Sequence, residues 1–175
     1  MNSYSVFEAI GTPIECRKGD LLFKQGDMEK SIYLTKSGLL KAYYLTSEGK
    51  EFVKSFIQEG ELIGSLVACS SAEPSTFSLM CLEDSSLLQI PFADLQSIAA
   101  NNAEFSNTIT KVLIGLAMKK ERREFEFLCL SAQERYALFK QRTPNLIDQV
   151  TQNDIARYLG ITPVALSRIK QRENA

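Results

Sequence analysis

Between residues 14 and 91 the chain alternates short runs of β-forming residues with turn punctuation. RKGD (17–20), KQGD (24–27), KSG (36–38), SEGK (47–50) and QEGE (58–61) recur about every ten residues, with SIYL, LLKAYYL and FVKSF between them. In LLKAYYL the pattern places Leu40, Ala42 and Tyr44 on one face and Leu39, Lys41 and Tyr43 on the other, the period of two that a pleated strand imposes. Short strands at regular spacing predict an antiparallel sandwich or barrel. SEGK predicts a hairpin, with Gly49 free to take a positive φ. SSLLQIP (85–91) predicts one last strand.

From about Phe92 the period becomes helical. Residues 104–128 contain no proline and only Gly115 as an interruption. Phe105, Ile109, Val112 and Leu116 step by 4, 3 and 4, a short seam of the kind that pairs helices. Lys119 and Arg123 follow on the same line, so no long coiled coil is sustained. The seam is expected to face a second copy of the chain; the alternative is packing on its own β-structure. KKERRE (119–124) is expected to form a solvated, self-paired face through Lys120–Glu124 and Arg122–Glu126 rather than a nucleic-acid patch. Ser131 with Glu134 predicts a capping box for a further helix, which Pro144 ends.

The segment TQNDIARYLGITPVALSRIKQ (151–171) has the rhythm of two helices joined by a tight turn. Thr151 would cap Gln152–Leu159, Gly160 would make the turn, and Thr162 with Pro163 would open the second helix. Counted from Gln152, apolar or small residues fall at 4, 5, 8, 10, 15 and 18, with glycine at 9. That is the spacing of a helix-turn-helix that reads DNA. Its outward face offers Thr162, Val164, Ala165, Ser167, Arg168, Gln171 and Arg172 to base edges, and Thr151, Gln152 and Lys170 to phosphates. A two-helix hairpin with no DNA role is the plainer alternative.

Charge sharpens this division. Residues 1–110 hold eight Lys+Arg against fourteen Asp+Glu, whereas residues 111–175 hold twelve against seven. An acidic front and a basic back suit two modules, with nucleic acid meeting the back one. The chain has no histidine, which excludes Ser-His and Cys-His hydrolysis and histidine-held metals or haem. Cysteines at 16, 69, 81 and 129 make no metal-binding pair and read as core residues. No cofactor is expected. No apolar run approaches the roughly 18–20 residues of a membrane span, and no secretory leader opens the chain, so the cytoplasm is the expected location.

The order Gly19-Asp20, Phe23, Gly26-Asp27, Ile32-Tyr33-Leu34, Gly38, Gly60-Glu61 and Ile63-Gly64, followed by the helix-turn-helix, resembles the cyclic-AMP receptor protein and fumarate–nitrate regulator (Crp/Fnr) family. FLxLSAxERY (127–136) is similar to its short-linker branch. The resemblance implies an α+β architecture: an antiparallel cyclic nucleotide-binding-like β-roll over 1–100, a long dimerisation helix over 101–130, and a helix-turn-helix domain over 131–175 without an obvious wing. It implies a homodimeric transcriptional regulator on a pseudo-palindromic operator, with RNA polymerase as a further partner, and no enzymatic role. Arg168 aligns with an arginine that reads guanine in family activators, while Pro163 and Val164 replace their Arg-Glu. The absent wing implies either a branch that does without it or a shortened chain; fewer phosphate contacts would then make the dimer obligatory.

At the ligand site the resemblance thins. Cyclic-AMP-binding members place a glutamate after the glycine that opens the phosphate cassette and an arginine ten residues later. Here those positions are Ser65 after Gly64, and Ser75 or, shifted by one, Thr76. Residues 55–110 contain no lysine or arginine. Losing the arginine alone costs a charge-assisted bond of about 1.5–3 kcal/mol, so useful binding of cyclic AMP or cyclic GMP is not expected. Two readings stay open for the pocket at Ile63, Gly64, Ser65, Ser75 and Thr76: a ligand-free dimerisation body, or a hydroxyl-rich site for another small effector. The functional rivals are a cyclic-nucleotide or other small-molecule sensor whose DNA binding is weak or lost, and a cupin-type enzyme, which the lack of histidine disfavours.

Overall fold

The computed structural model describes residues 5–173. A short helix α1 (Ser5–Ile10) precedes strands β1 (Thr12–Cys16), β2 (Leu21–Phe23), β3 (Ser31–Ser37), β4 (Leu40–Leu45), β5 (Glu51–Ile57) and β6 (Leu62–Ile63). After helix α2 (Leu66–Ser70) come β7 (Ser78–Cys81) and β8 (Ser85–Pro91). These strands form two four-stranded antiparallel sheets, β1-β8-β3-β6 and β2-β7-β4-β5, so the regular punctuation does encode a β-roll. Phe23, Tyr33, Leu40, Ala42, Phe77, Leu79 and Leu87 fill the space between the sheets. The SEGK turn closes with Gly49 at φ 79° and a bond from Thr46 N–H to the Lys50 carbonyl of 2.9 Å.

The helical half begins where the period changes. Helix α3 (Phe92–Asn101) is separated from α4 (Ala103–Cys129) by Asn102, whose side chain accepts the Phe105 N–H at 3.0 Å. Then come α5 (Ala132–Arg142), α6 (Leu146–Gln149), α7 (Gln152–Leu159) and α8 (Pro163–Glu173). Both halves of the Ser131–Glu134 capping box are made.

The alternation along β4 holds as far as Ala42, where a bulge against β5 shifts the register and leaves Tyr44 exposed, but the second face does not meet water. Leu40 and Ala42 point into the roll. Leu39, with Val53 and Phe56, instead packs against Tyr136, Phe139, Ile155, Leu159 and Leu166. The C-terminal helices therefore share a continuous core with the outer surface of the roll.

Two expectations for α4 need correction. Phe105 is buried with Phe7, Ile32, Leu34, Leu88, Ile90 and Leu95, and Ile109 packs against the same cluster. The Phe7 and Phe105 rings meet edge-on with centroids 5.8 Å apart. Val112 and Leu116 continue along this side beside β5 and β6 residues. The first half of the expected subunit seam, Phe105 and Ile109, thus turns inward onto its own roll, while Val112 and Leu116 are half-exposed. Spacings of three and four mark any buried helix stripe, whether the surface that covers it is a partner or the same chain. The exposed apolar line is a different one: Ile114, Met118, Phe125 and Leu128.

KKERRE is not self-paired either. Neither Lys120–Glu124 nor Arg122–Glu126 is an ion pair among the described residues. Lys119 bonds Glu61 at 2.9 Å, Arg142 takes Glu126, and Arg123 donates to the carbonyls of Val53 (3.0 Å) and Tyr158 (2.9 Å). The side chains reach across to the roll and to α7, where partners are fixed by packing rather than by sequence interval.

Candidate nucleic-acid interface

The α7–α8 pair is built from local rules. Thr151 caps α7: its hydroxyl accepts the Asp154 N–H at 3.1 Å and donates to the Asp154 carboxylate at 2.7 Å. Such a cap contributes about 1 kcal/mol. Gly160 adopts the left-handed conformation (φ 70°), and an added Cβ there would come within 2.8 Å of the Phe127 ring. Thr162 accepts the Ala165 N–H at 3.2 Å, and Pro163 opens α8 where its missing N–H costs nothing. Ile155, Ala156, Leu159, Leu166 and Ile169 are buried, with Ala156 the small residue that lets the helices approach.

The opposite surface of α8 is open. Thr162, Val164, Ser167, Arg168, Gln171 and Arg172 are exposed, while Ala165 and Lys170 are half-buried. No carboxylate lies within ion-pair distance of Arg168 or Arg172 among the described residues. Gln152 and Lys170 are joined, Nζ to Oε1, at 3.0 Å. The Thr151 hydroxyl is engaged by Asp154, which leaves that residue's contribution as a cap.

A buried ionic knot fixes this pair to the roll. Lys41 of β4 bonds both Glu51 of β5 and Asp154 of α7 at 2.9 Å, and Arg157 reaches Glu51 at 3.3 Å. Burial alone would lower the Lys41 pKa, but the bonds to its two carboxylates outweigh it and hold the ammonium above its ordinary value. Two carboxylates around one buried lysine make a site in which removing the cation is far costlier than removing either anion.

The expected effector pocket has no such openness. Ser65 is buried and caps α2, accepting the Ala68 N–H at 3.3 Å. Ser75 is buried as well, and its hydroxyl donates to the Phe77 carbonyl at 2.8 Å. Ile63 is buried, Gly64 is half-buried and Thr76 is exposed. Phe77, next in the chain, turns its ring into the core against Phe23, centroids 5.2 Å apart. The serines are structural donors and acceptors, already matched within the cassette.

The open volume lies beside this cassette and shares Ile63 in its wall. A cavity of about 1060 Å³ runs between β5, α4, α5 and α7, lined by aromatic and aliphatic side chains with several cations. Lys54 sits with its ammonium 4.6 Å from the centre of the Phe77 ring. Burial, together with the nearby charges of Lys120, Lys119 and Arg123, pushes its pKa down to about 8. Arg123 stacks 4.0 Å from the Tyr158 ring centre. Sequence reasoning passed over Lys54, Arg123 and Tyr158. The available signal was a lysine inside the otherwise β-forming FVKSF, and an arginine continuing a buried stripe.

A model of the cyclic nucleotide-binding domain matches residues 13–102, just over half the chain. The chain belongs to the cyclic nucleotide-binding domain family. The fumarate and nitrate reduction regulatory protein of Yersinia pestis is 30% identical over 167 residues, covering 89% of this chain and 66% of that protein. Its counterpart in Escherichia coli K12 is 29% identical with the same coverage. The chain thus spans just under two thirds of the length of the curated relatives it matches. FixK2 from Bradyrhizobium japonicum superposes with a TM-score of 0.81 at 18% identity, over 93% of this chain and 84% of that one. The c-di-GMP-responsive regulator CLP of Xanthomonas campestris gives 0.80 at 16%, over 98% and 90%. At these identities the structural likeness establishes the fold. No helix among the described residues is long and apolar enough to cross a membrane.

Proposed function

We propose that this chain is a cytoplasmic transcriptional regulator that binds double-stranded DNA as a homodimer and is not an enzyme. The single observation behind this reading is the amphipathy of α8. Leu166 and Ile169 anchor one side in the shared core, while Ser167, Arg168, Gln171 and Arg172 stand exposed on the other. A helix set rigidly in this way, with unpaired cations outward, suits the major groove. Arg168 is the candidate for a bidentate contact to guanine, Val164 and Ala165 for a thymine methyl, and Gln152 with Lys170 for phosphate.

The dimer contact belongs on the outer line of α4. Ile114, Met118, Phe125 and Leu128 step by 4, 7 and 3, the heptad rhythm, and Leu128 is 77% exposed. A second copy on this line would bury it and set two α8 helices toward half-sites about 34–36 Å apart on a pseudo-palindromic operator. Phe125→Asp should therefore convert the dimer to a monomer in light scattering, whereas Ile109→Asp on the inward side should disturb folding rather than subunit number.

DNA binding is tested by selecting bound fragments from a genomic pool. The wild-type chain should enrich sequences with two-fold symmetry, and Arg168→Ala should lose most of that enrichment. Equal enrichment by both proteins would remove α8 from the interface. The same fragments would give the target genes and the promoters at which RNA polymerase contact can be assayed.

A further inference from the structure

We propose that the first turn of α8 reads the C5 methyl group of a pyrimidine in the major groove, so that thymine and 5-methylcytosine are equivalent to it. Operator binding then responds to cytosine methylation, a consequence that rests on the DNA-binding reading above.

Beyond the Thr162 cap, the side chains of this turn are those of Pro163, Val164 and Ala165. None of the three carries a side-chain hydrogen-bond donor or acceptor. The Thr162 hydroxyl is engaged with the Ala165 N–H at 3.2 Å, and Pro163 has no N–H to offer. Base edges in the major groove differ in amino groups, carbonyl oxygens, ring nitrogens and one hydrocarbon feature, the pyrimidine C5 methyl. An alkyl turn gains only from the last.

Val164 is the side chain placed to make that contact. It is 62% exposed, whereas Ile155, Leu159, Leu166 and Ile169 of the same helix pair are buried. It belongs to none of the three buried clusters of the described residues, so folding does not account for a valine there. Arg168 follows four residues later on the same face, exposed and with no carboxylate within ion-pair distance among the described residues. A valine beside unpaired arginines complements a polyanion that bears hydrocarbon. An apolar protein surface would instead strip water from the cations without pairing them. Four residues are about 6 Å of helix, or about two base-pair steps, which sets the methyl about two base pairs from the guanine offered to Arg168.

Thymine and 5-methylcytosine carry the same methyl and differ beside it, a carbonyl oxygen against an amino group. Ser167, three residues after Val164 and exposed, has a hydroxyl that both donates and accepts and so suits either base.

The test uses the duplex enriched in the genomic selection, titrated with the full chain by fluorescence anisotropy. Each thymine is replaced in turn by deoxyuridine, symmetrically in both half-sites, which removes the methyl and nothing else. At one position per half-site the loss should be about threefold to fourfold for each methyl, and so about tenfold over the operator. With a cytosine–guanine pair at that position, 5-methylcytosine should bind about tenfold more tightly than cytosine. Val164→Ala should bind the thymine and deoxyuridine duplexes alike, and the two cytosine duplexes alike, with thermal unfolding unchanged. Uniform affinity through the deoxyuridine scan, equal affinity for cytosine and 5-methylcytosine, or a methyl preference that survives in Val164→Ala would overturn the proposal and leave the regulator standing. A chain that selects no duplex from the pool loses the DNA-binding reading and the methyl contact together.

Discussion

The cassette GSLVACSSAEPSTFS (64–78) and the proposed DNA-reading segment GITPVALSRIKQR (160–172) begin in the same way. Each has a glycine, then a hydroxyl that caps a helix three residues on: Ser65 accepts from Ala68 N–H at 3.3 Å, Thr162 from Ala165 N–H at 3.2 Å. Beyond the cap they diverge. The cassette helix has five residues and no cation, and the buried Ser75 spends its hydroxyl on its own loop. Helix α8 has eleven residues, two of them sunk in the core, with arginines facing water. A hydroxyl engaged as a cap is not a ligand donor, so richness in serine says little about binding. Unpaired side chains on a surface whose backbone is held from behind say much more.

The largest effect expected on this comparison comes from loosening the open end. Lys41→Ala would leave Glu51 and Asp154 with only the more exposed Arg157 as a cation and should cost about 3 kcal/mol in denaturant unfolding, with DNA binding weakened through the displaced α7. Asp154→Ala should cost less, because Lys41 retains Glu51. Equal losses would show that the knot contributes mainly packing.

Next comes Arg168→Ala, which should weaken operator binding by about 1–3 kcal/mol at each half-site while leaving thermal stability unchanged. The matching change in the cassette, Ser75→Ala, should do the reverse: about 1 kcal/mol of stability lost with the hydroxyl bond, and unchanged DNA affinity. If Ser75→Ala altered DNA binding, the cassette would be communicating with α8 after all.

Much of the fold was legible because it obeys local rules. Turn glycines, the Ser131–Glu134 box and the Thr151, Gly160 and Thr162 punctuation act over three or four residues, and the structure places each in its expected conformation. What stayed hidden depends on distant covering surfaces. Phe105 and Ile109 have the spacing of a subunit seam, but α1 and the roll reach them first. Lys41 sits in a strand that alternates correctly, yet only tertiary packing brings Asp154, 113 residues away, to its ammonium. The cavity at Lys54 draws walls from both strands and helices far apart in the chain, among them β5, β6, α4, α5 and α7, and no single stretch of sequence announces it.

The smallest predicted effect is a pH dependence. Lys54 titrates at about 8 in the fold against 10.5 when unperturbed, so above pH 8 the unfolded chain binds more protons than the native one and this lysine makes stability rise with pH. Lys119, Lys120 and Arg123 face it from α4, with Glu61 engaged by Lys119. Above about pH 9 the thiols of Cys69 and Cys81, raised by burial to about 11 and about 12, act in the opposite sense. The rise should therefore be sought between pH 8 and 9, as the difference between wild type and Lys54→Met in thermal unfolding. Parallel curves for the two proteins would mean that Lys54 is better solvated than its surroundings indicate.

The contrast between a closed cassette and an open reading helix is tested most directly by fluorescence anisotropy on one duplex recovered from the genomic selection, titrated with wild-type protein in the presence and absence of cyclic AMP at millimolar concentration. The two titrations should coincide at an affinity that Arg168→Ala weakens. Tightening of the duplex by cyclic AMP would contradict the account, because the serine cassette would then be holding the nucleotide that its internal bonds should exclude.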